Sequence, residues 1–185
     1  MGIGRNFTAF SRKLFSKGMR DINTAIRPAE EKDRLLLKNL FNLYQNEFSD
    51  YTDEFGLPDG DGYFAPDTVN EVLPYGDGVY PYIILIDGRN AGFLLVTDSR
   101  YADGCDWRFE EIYLVRAARG KGAAKAAALL AMRGRPGRWR LSVYRENARA
   151  RAFWRAVSRA AGAEILEEES RYPGMMDLVF APREG

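Results

Sequence analysis

The sequence predicts a mixed α+β fold, in which a central twisted mixed sheet of about six to seven strands is flanked by about four helices. Two apolar runs, at 80–86 and 91–96, are joined by an Asp-Gly turn and predict a β-hairpin. A strand-like run at 107–115 leads into a basic, glycine-containing turn and an alanine-rich helix. A second strand-to-helix pair follows, with alternating residues at 139–144 and a helical pattern over 147–160.

The other elements are predicted from apolar periodicity and from turn residues. They are, in chain order, a strand near 21–27, a helix over 28–48, an Asp- and Gly-rich loop over 49–63, a short helix over 66–73, the helix of the alanine-rich segment over 121–132, and two last strands at 163–167 and 175–180.

The length of 185 residues is that of one domain, which we place at 21–185. Residues 1–20 carry five basic and no acidic side chains, and apolar residues recur among them at helical spacing. This segment is predicted to be a basic amphipathic extension that packs on the domain or on the partner in a homodimer. A membrane-surface helix or a transit peptide is the alternative. No apolar run approaches the roughly 20 residues that a transmembrane helix requires.

The residue types that the chain lacks exclude several kinds of catalytic and metal-binding site. The chain has no histidine, which excludes Ser-His-Asp and Cys-His catalysis and every metal site with a histidine ligand. We therefore predict no metal. Cys105 is the one cysteine, so it forms no disulfide within the chain, and a reducing, cytoplasmic location is expected.

The turn that follows the strand at 109–115 is suited to binding a phosphate or pyrophosphate. A helix N-terminus presents unpaired N–H groups and a partial positive charge. Gly120 and Gly122 allow an anion to approach the backbone, and Arg119, Lys121 and Lys125 add full charges. The segment lacks the spacing of the nucleotide-triphosphate loop and of the dinucleotide-binding fingerprint.

Two motifs resemble those of the GCN5-related N-acetyltransferase (GNAT) family. Arg119, Gly122 and Ala124 match its acetyl-CoA signature, Arg/Gln-x-x-Gly-x-Gly/Ala, after the expected strand. The run from Asn147 to Phe153-Trp154 is similar to its second motif, Asn-x-x-Ala-x-x-Phe-Tyr. The resemblance spans roughly residues 24–181 and implies an acetyl-CoA-dependent N-acetyltransferase. The cofactor-binding residues that it implies are Leu114, Val115, Arg119, Gly120, Lys121, Gly122, Ala123, Ala124, Asn147 and Trp154.

The same resemblance assigns catalytic roles. Glu111, on the strand before the turn, is similar to the family's general base, and Glu110 is the alternative because strand register cannot be read from the sequence. Trp154 departs from the family pattern, where a tyrosine protonates the leaving thiolate. Tyr144 is the predicted substitute, with Tyr113 or Tyr172 or unassisted departure as the alternatives.

Charge is segregated along the chain, although the net charge is only +1. No Lys or Arg lies between Lys38 and Arg89, an interval with ten acidic residues. From Arg116 to Arg159 there are thirteen basic residues and a single acidic one. The family resemblance implies that the first two helices and their loop help to wall the acceptor site, and an acidic wall there steers cations, since a cleft of one sign focuses its field. We therefore expect a cationic primary amine as acceptor: a polyamine, an aminosugar or a peptide amine.

Two other functions stay open at this point. One is a non-catalytic acyl-CoA-binding module or sensor with the same fold, which Trp154 favours. The other is an acetyltransferase associated with RNA or tRNA, because the arginines between Arg133 and Arg159 outnumber what one cofactor needs. Steep loss of binding with added salt is typical of such a nucleic-acid surface.

Overall fold

A seven-stranded mixed sheet organises the computed structural model, which describes residues 22–73 and 75–183. In chain order its strands are β1 (Thr24–Pro28), β2 (Val79–Ile86), β3 (Arg89–Asp98), β4 (Trp107–Leu114), β5 (Trp139–Tyr144), β6 (Leu166–Glu169) and β7 (Met175–Phe180). The spatial order is β1-β2-β3-β4-β5-β7-β6. Neighbours are antiparallel except for β4 and β5, which are parallel.

Four α-helices accompany the sheet in the part of the chain that the structure describes. They are α1 (Arg34–Phe48), α2 (Thr68–Val72), α3 (Ala123–Met132) and α4 (Ala148–Ala160), and short 3-10 turns precede α1 and α3. The predicted α+β class, strand number and helix number are confirmed. The predicted extension over 1–20 lies outside the described residues. No helix among those residues is long and apolar enough to cross a membrane.

Helix α1 covers one face of the sheet with a regular apolar stripe. Leu37, Leu40 and Phe41 are buried at the i, i+3, i+4 spacing that places side chains on one side of a helix. They pack on Phe93 and other inward residues of β2 and β3 in one apolar cluster. The ring centroids of Phe41 and Phe93 are 4.3 Å apart, within the range of favourable aromatic pairs.

Helices α3 and α4 cover the opposite face. The buried side of α3 consists largely of alanine, at Ala123, Ala127, Ala128 and Ala131, so its backbone can approach the sheet closely. Trp139 of β5 is completely buried in this second cluster. Small residues on the helix and large ones on the strands thus fill the space between them.

Strands β4 and β5 separate soon after they begin. They pair at Trp107 with Trp139 and at Arg108 with Arg140, and the register ends there. The later parts of both strands therefore diverge and leave edge groups unpaired in the interior of the sheet. Such an opening places backbone donors and acceptors where a ligand can reach them.

A β-bulge in β4 changes which side chains share a face. Leu95 of β3 pairs with Glu111 and Val96 pairs with Phe109, so Glu110 is the extra residue on β4. Phe109 lies in the cluster beneath α3 and α4. The carboxylates of Glu110 and Glu111 consequently lie on the same face of the sheet, the one that α1 covers, although they are adjacent in the sequence.

Candidate active site

A groove of about 720 Å³ runs from the opening between β4 and β5 to the N-terminal turn of α3. Two of the ten residues predicted to bind the cofactor, Val115 and Lys121, do not line it. The eight that do are Leu114, Arg119, Gly120, Gly122, Ala123, Ala124, Asn147 and Trp154. The structure therefore brings together side chains from β4, from the glycine turn and from α4. We call this cavity the cofactor groove.

One end of the cofactor groove is built from unpaired backbone amides. In the part of the chain that the structure describes, the N–H groups of residues 120–125 have no hydrogen-bond acceptor. Gly120 and Gly122 have φ values of 76° and 78°, a left-handed conformation that glycine adopts without strain. Apart from the glycine itself and its two chain neighbours, no atom of the described residues lies within 4 Å of the position a Cβ would take at either glycine. The turn is thus an open concave donor set, suited to an anion such as pyrophosphate.

Arg119 holds this turn in place instead of standing free. Its Nε donates to the carbonyl oxygen of Leu114 at 2.7 Å, and its Nη1 lies 2.7 Å from Glu47 Oε2. Glu47 also accepts a hydrogen bond of 3.0 Å from the Tyr113 hydroxyl. Burial raises the pKa of Glu47, but the bonds from Arg119 and Tyr113 outweigh it and lower the value. Arg119 therefore carries its charge in an ion pair with a carboxylate on α1, which weakens its field in the groove.

Two further cationic side chains line the groove beside Arg119. Lys125 and Arg149 line it and have no ion-pair partner within the described residues. Lys121, which was predicted to contact the cofactor, instead donates from Nζ to the carbonyl oxygen of Ala117 at 3.2 Å. Its own backbone amide still belongs to the unpaired set.

The strand edge supplies one further donor. The amide of Val115 donates to the carbonyl oxygen of Ala91 at 2.9 Å, so it is used within the sheet. Because successive amides of a strand point to opposite edges, the amide of Leu114 points away from β3 and into the opening beside β5. The Val115 amide is therefore not available to a ligand, whereas the Leu114 amide is.

A second cavity of about 430 Å³ lies between the separated parts of β4 and β5. Its wall includes Glu110, Glu111 and Tyr144, the three residues predicted to be catalytic. We call it the acceptor pocket. It shares six lining residues with the cofactor groove, namely Tyr44, Phe48, Ile112, Asn147, Ala150 and Trp154. The two cavities therefore meet, and a group bound in one can reach a group bound in the other.

Glu111 has the environment of a general base that works near neutral pH. Burial raises its pKa to about 7, and the neighbouring charge of Glu110 adds to the rise. The Tyr44 hydroxyl and Arg108 act in the opposite direction and lower the pKa of Glu111 by less. A carboxylate with such a pKa is half ionised near pH 7, which is the condition for efficient proton removal.

Glu110 has a different role. Its Oε1 accepts from Thr97 Oγ1 at 2.8 Å, and its Oε2 accepts from Arg108 Nε at 2.8 Å. Arg108 Nη2 then donates to Ser142 Oγ at 2.9 Å, and Ser142 donates to Asp177 Oδ1 at 2.6 Å. This network joins β4 to β5 and β7 where the strands separate. Because both oxygens of Glu110 are occupied, Glu111 is the better candidate for the base.

The second sequence motif contributes structure to the site. Asn147 caps α4, accepting a 2.9 Å hydrogen bond from the amide of Ala150. Trp154 is buried, with its ring 4.8 Å from Phe109 and 4.9 Å from Phe153, and one edge reaches both cavities. Tyr144 lies beside the acceptor pocket and stacks on Tyr51, with centroids 6.1 Å apart.

The acidic interval before Arg89 contributes less to the site than the sequence indicated. Of its ten acidic residues only Glu54 lines the acceptor pocket, while Glu47 and Asp50 line the cofactor groove. The acidic wall of the pocket consists of Glu54 together with Glu110 and Glu111. Glu110 and Glu111 lie on a strand, outside the interval that the charge pattern singled out.

Much of the arginine-rich half is paired. Four of its arginines form ion pairs with acidic side chains of β6 and β7: Arg138 and Arg140 with Glu168, Arg140 also with Asp177, Arg145 with Glu169 and Arg155 with Glu167. These pairs reduce the positive field that the sequence pattern alone indicates.

Sequence reasoning missed Tyr44 and Glu47, which reach the site from α1. Tyr44 falls in the apolar pattern of the helix predicted over 28–48, whose period of three to four residues is that of any packed helix, and Glu47 was counted only among the ten acidic residues of the interval before Arg89. The available signal was that Tyr44 and Glu47 carry polar groups beside apolar residues of this helix, because buried polar groups need partners.

Solved structures share this architecture along most of the chain. An acetyltransferase from Thermus thermophilus superposes with a TM-score of 0.60 at 21% identity, covering 87% of this chain and 98% of that one. A diaminobutyrate acetyltransferase from Paenibacillus lautus, solved with its substrate L-2,4-diaminobutyric acid and coenzyme A, gives a TM-score of 0.55 at 14% identity, covering 88% and 99%.

An acetyltransferase of the GNAT family from Streptococcus pneumoniae is also similar, with a TM-score of 0.52 at 16% identity, covering 85% of this chain and 98% of that one. By sequence, no protein-family model and no curated protein matches the chain. The likeness is one of structure. The chain therefore has the fold of the GNAT superfamily.

Proposed function

We propose that this protein is an acetyl-CoA-dependent N-acetyltransferase that transfers an acetyl group directly to a cationic primary amine. The observation that carries the proposal is the meeting of the two cavities. One contains the unpaired amides of residues 120–125, and the other contains Glu111 with its pKa near 7. A group held where the two cavities meet is within reach of the cofactor groove and of Glu111.

The cofactor groove fits coenzyme A by the chemistry of its donors. Pyrophosphate carries negative charge and many acceptor oxygens, and the turn offers unpaired N–H groups with no side chain in front of them. Lys125 and Arg149 add charge along the same groove. The Leu114 amide is placed to donate to the pantetheine arm or the thioester oxygen.

The chemistry that the chain itself performs is then modest. When bound, the thioester supplies an activated acyl carbon. Glu111 accepts the proton that an ammonium must lose before its nitrogen can attack. The Leu114 amide stabilises the negative charge that develops on oxygen. No histidine, metal or protein thiol is needed for these steps.

The acceptor pocket favours a small cationic amine. Glu54 and Glu111 supply negative charge, and Phe48, Tyr144 and Tyr172 supply aromatic faces that attract cations. The Paenibacillus lautus relative was solved with a small diamine as its substrate, which supports an amine of similar size. Polyamines, aminosugars and peptide amines remain the candidate classes.

Calorimetric titration with acetyl-CoA tests the first part of the proposal. We expect saturable one-to-one binding that Gly122→Glu weakens by at least about tenfold, because a carboxylate beside the pyrophosphate repels it. Gly134→Glu is the matched control. Gly134 has φ 70° and open space around its Cβ position, like Gly122, but it follows the far end of α3. It should keep the affinity within about twofold.

Release of coenzyme A in the presence of spermidine, glucosamine or a lysine peptide tests the second part. Turnover with any of them supports the enzyme. Tight binding of acetyl-CoA without turnover of any amine instead favours a non-catalytic acyl-CoA sensor, the function that Trp154 favours. A folded sample that does not bind acetyl-CoA contradicts both functions.

A further inference from the structure

Trp154 leaves the site without the hydroxyl that the second motif normally supplies, and a phenol from a different element lies close by. Tyr44 is on α1, outside both sequence motifs. Among the residues that the structure describes, it is the only tyrosine that lines both the cofactor groove and the acceptor pocket. Its position is therefore the junction where the acyl carbon, the amine and the leaving sulfur have to meet.

The Tyr44 ring is held firmly, but its hydroxyl is not. The ring centroid lies 5.1 Å from Phe48, 5.8 Å from Phe93 and 5.9 Å from Tyr113. The oxygen is buried and has no hydrogen-bond partner among the described residues. A buried hydroxyl without a partner costs stability, so a position of this kind calls for a reason.

The nearest charged group explains what the hydroxyl can do. Burial, then the charge of Glu111 and a contact with its carboxylate outside ordinary hydrogen-bond geometry, raise the pKa of Tyr44 well above 10, so it stays protonated at all working pH values. In turn the Tyr44 hydroxyl lowers the pKa of Glu111. The two groups are therefore close enough to influence each other, and Glu111 lies on the acceptor side of the junction.

The other phenols near the site are committed elsewhere. The Tyr113 hydroxyl donates to Glu47 at 3.0 Å. Tyr144 lines the acceptor pocket but not the cofactor groove. The Tyr172 hydroxyl accepts a 2.8 Å hydrogen bond from Arg171, and its side chain is exposed at the surface. None of the three adjoins both substrates.

We propose that Tyr44 is a catalytic residue that relays a proton from Glu111 to the leaving sulfur, a role that rests on the proposed acetyltransferase function. Glu111 first removes a proton from the ammonium. The amine nitrogen then forms its bond to the acyl carbon, the carbon–sulfur bond breaks, and the second proton that the nitrogen must lose passes to water. As it breaks, Tyr44 gives its phenolic proton to the sulfur and takes the proton held by Glu111, so Tyr44 and Glu111 end in their starting forms.

A relay fits these groups better than a simple donation. A phenolate is a stronger base than a thiolate, since the ordinary pKa is about 10 for a tyrosine hydroxyl and about 8.5 for a thiol. Transfer from Tyr44 alone is therefore uphill. The arrival of the Glu111 proton in the same step removes that cost, because no phenolate accumulates.

Tyr44→Phe tests the relay, because it removes only the unpaired oxygen. With the best amine from the panel above, we expect kcat to fall about 10²–10³-fold, which is within the usual range for a proton-transfer group. KM for both substrates and the calorimetric Kd for acetyl-CoA should stay within about threefold. The melting temperature should change little, since the lost hydroxyl makes no hydrogen bond of ordinary geometry.

A pH profile adds a readout that mere packing would not move. Because the Tyr44 hydroxyl lowers the pKa of Glu111, its removal should shift the low-pH limb of kcat/KM to higher pH. Tyr63→Phe is the control, since the Tyr63 hydroxyl donates to Asn39 on the outer part of α1, away from both cavities. It should leave kcat and the profile unchanged.

The outcomes separate the relay from the function on which it rests. If the wild-type protein turns over an amine and Tyr44→Phe keeps kcat within about threefold, the relay is refuted while the acetyltransferase stands. A loss of kcat accompanied by an equal loss of acetyl-CoA affinity also refutes it, because Tyr44 then shapes the groove instead of moving a proton. A wild-type protein that turns over no amine refutes the proposed function and the relay with it.

Discussion

Replacing Glu111 by Gln should greatly reduce activity and at the same time stabilise the protein at alkaline pH. The substitution keeps the size and hydrogen-bonding shape of the side chain but removes its charge. In the wild type that charge is half-buried beside Glu110, with its pKa raised from 4.5 to about 7. Ionising Glu111 therefore works against folding.

The size of the effect follows from linkage between pKa and stability. A pKa raised by folding means that the protonated form is favoured in the folded state. The stability contributed by that form is complete below pH 4.5 and is lost as pH rises through 7. A rise of this size corresponds to at most about 3 kcal/mol above pH 8. For a chain of this length that is roughly 6–12 °C in melting temperature.

Thermal melts of wild type and Glu111→Gln at pH 5 and pH 8.5 measure this. We expect little difference at pH 5 and a more stable variant at pH 8.5. Glu110→Gln is the matched control on the same strand. Because Glu110 accepts from Thr97 and from the buried Arg108, its neutralisation should lower the melting temperature at both pH values.

Kinetics complete the test. The kcat/KM of the wild type should rise with pH as Glu111 ionises, and at pH 6 it should be about one tenth of its plateau. Glu111→Gln should lose about 10²–10⁴-fold at the plateau. A stability difference that does not change with pH would refute the raised pKa. Turnover within about threefold of wild type would refute the role as base.

Two further predictions concern the frame of the site. Gly92→Ala should destabilise the protein by about 3 kcal/mol or more in denaturant unfolding, because its Cβ would lie 1.9 Å from the Tyr113 carbonyl oxygen. The control Gly88→Ala, at φ 73° with open space around its Cβ position, should cost only about 1 kcal/mol. Equal costs for the two variants would contradict the clash. Asn147→Ala should cost about 1 kcal/mol of stability, because the capping hydrogen bond from the Ala150 amide is lost. Asn147→Asp should keep most of that stability, since its carboxylate can accept the same bond. If Asp is as costly as Ala in the same assay, capping is not what Asn147 contributes.

Most of the fold could be predicted from local patterns. The hairpin of β2 and β3, the strand β4 before the glycine turn, and the pairs β5–α4 and β4–α3 depend on periodicity and turn residues that the chain displays directly. Boundaries moved by a few residues, as at β6, predicted at 163–167 and observed at Leu166–Glu169. That strand is short, largely exposed and at the edge of the sheet, so burial does not determine its ends.

The site could be predicted only in part. A sequence motif indicates what the local backbone does, but it does not indicate which distant side chains will contact the motif residues. Gly120 and Gly122 act through φ angles and missing Cβ atoms, which are local properties, and the anion-binding turn is found where it was expected. The position of Glu111 depends on a bulge, and the fate of Arg119 depends on a carboxylate 72 positions earlier in the chain. Neither is visible in a sequence window.

The sequence by itself determined the α+β class, the order of the elements, the turn that presents its amides to an anion, and the exclusion of histidine chemistry. These follow from residue type and short-range spacing, which act within a few residues along the chain. The tertiary structure alone decided that β4 and β5 separate, that Glu110 is tied into a network while Glu111 stays available, and that Tyr44 of α1 reaches the junction of the two cavities. Such outcomes depend on packing between distant segments, and the pKa of a carboxylate is set by what that packing places around it.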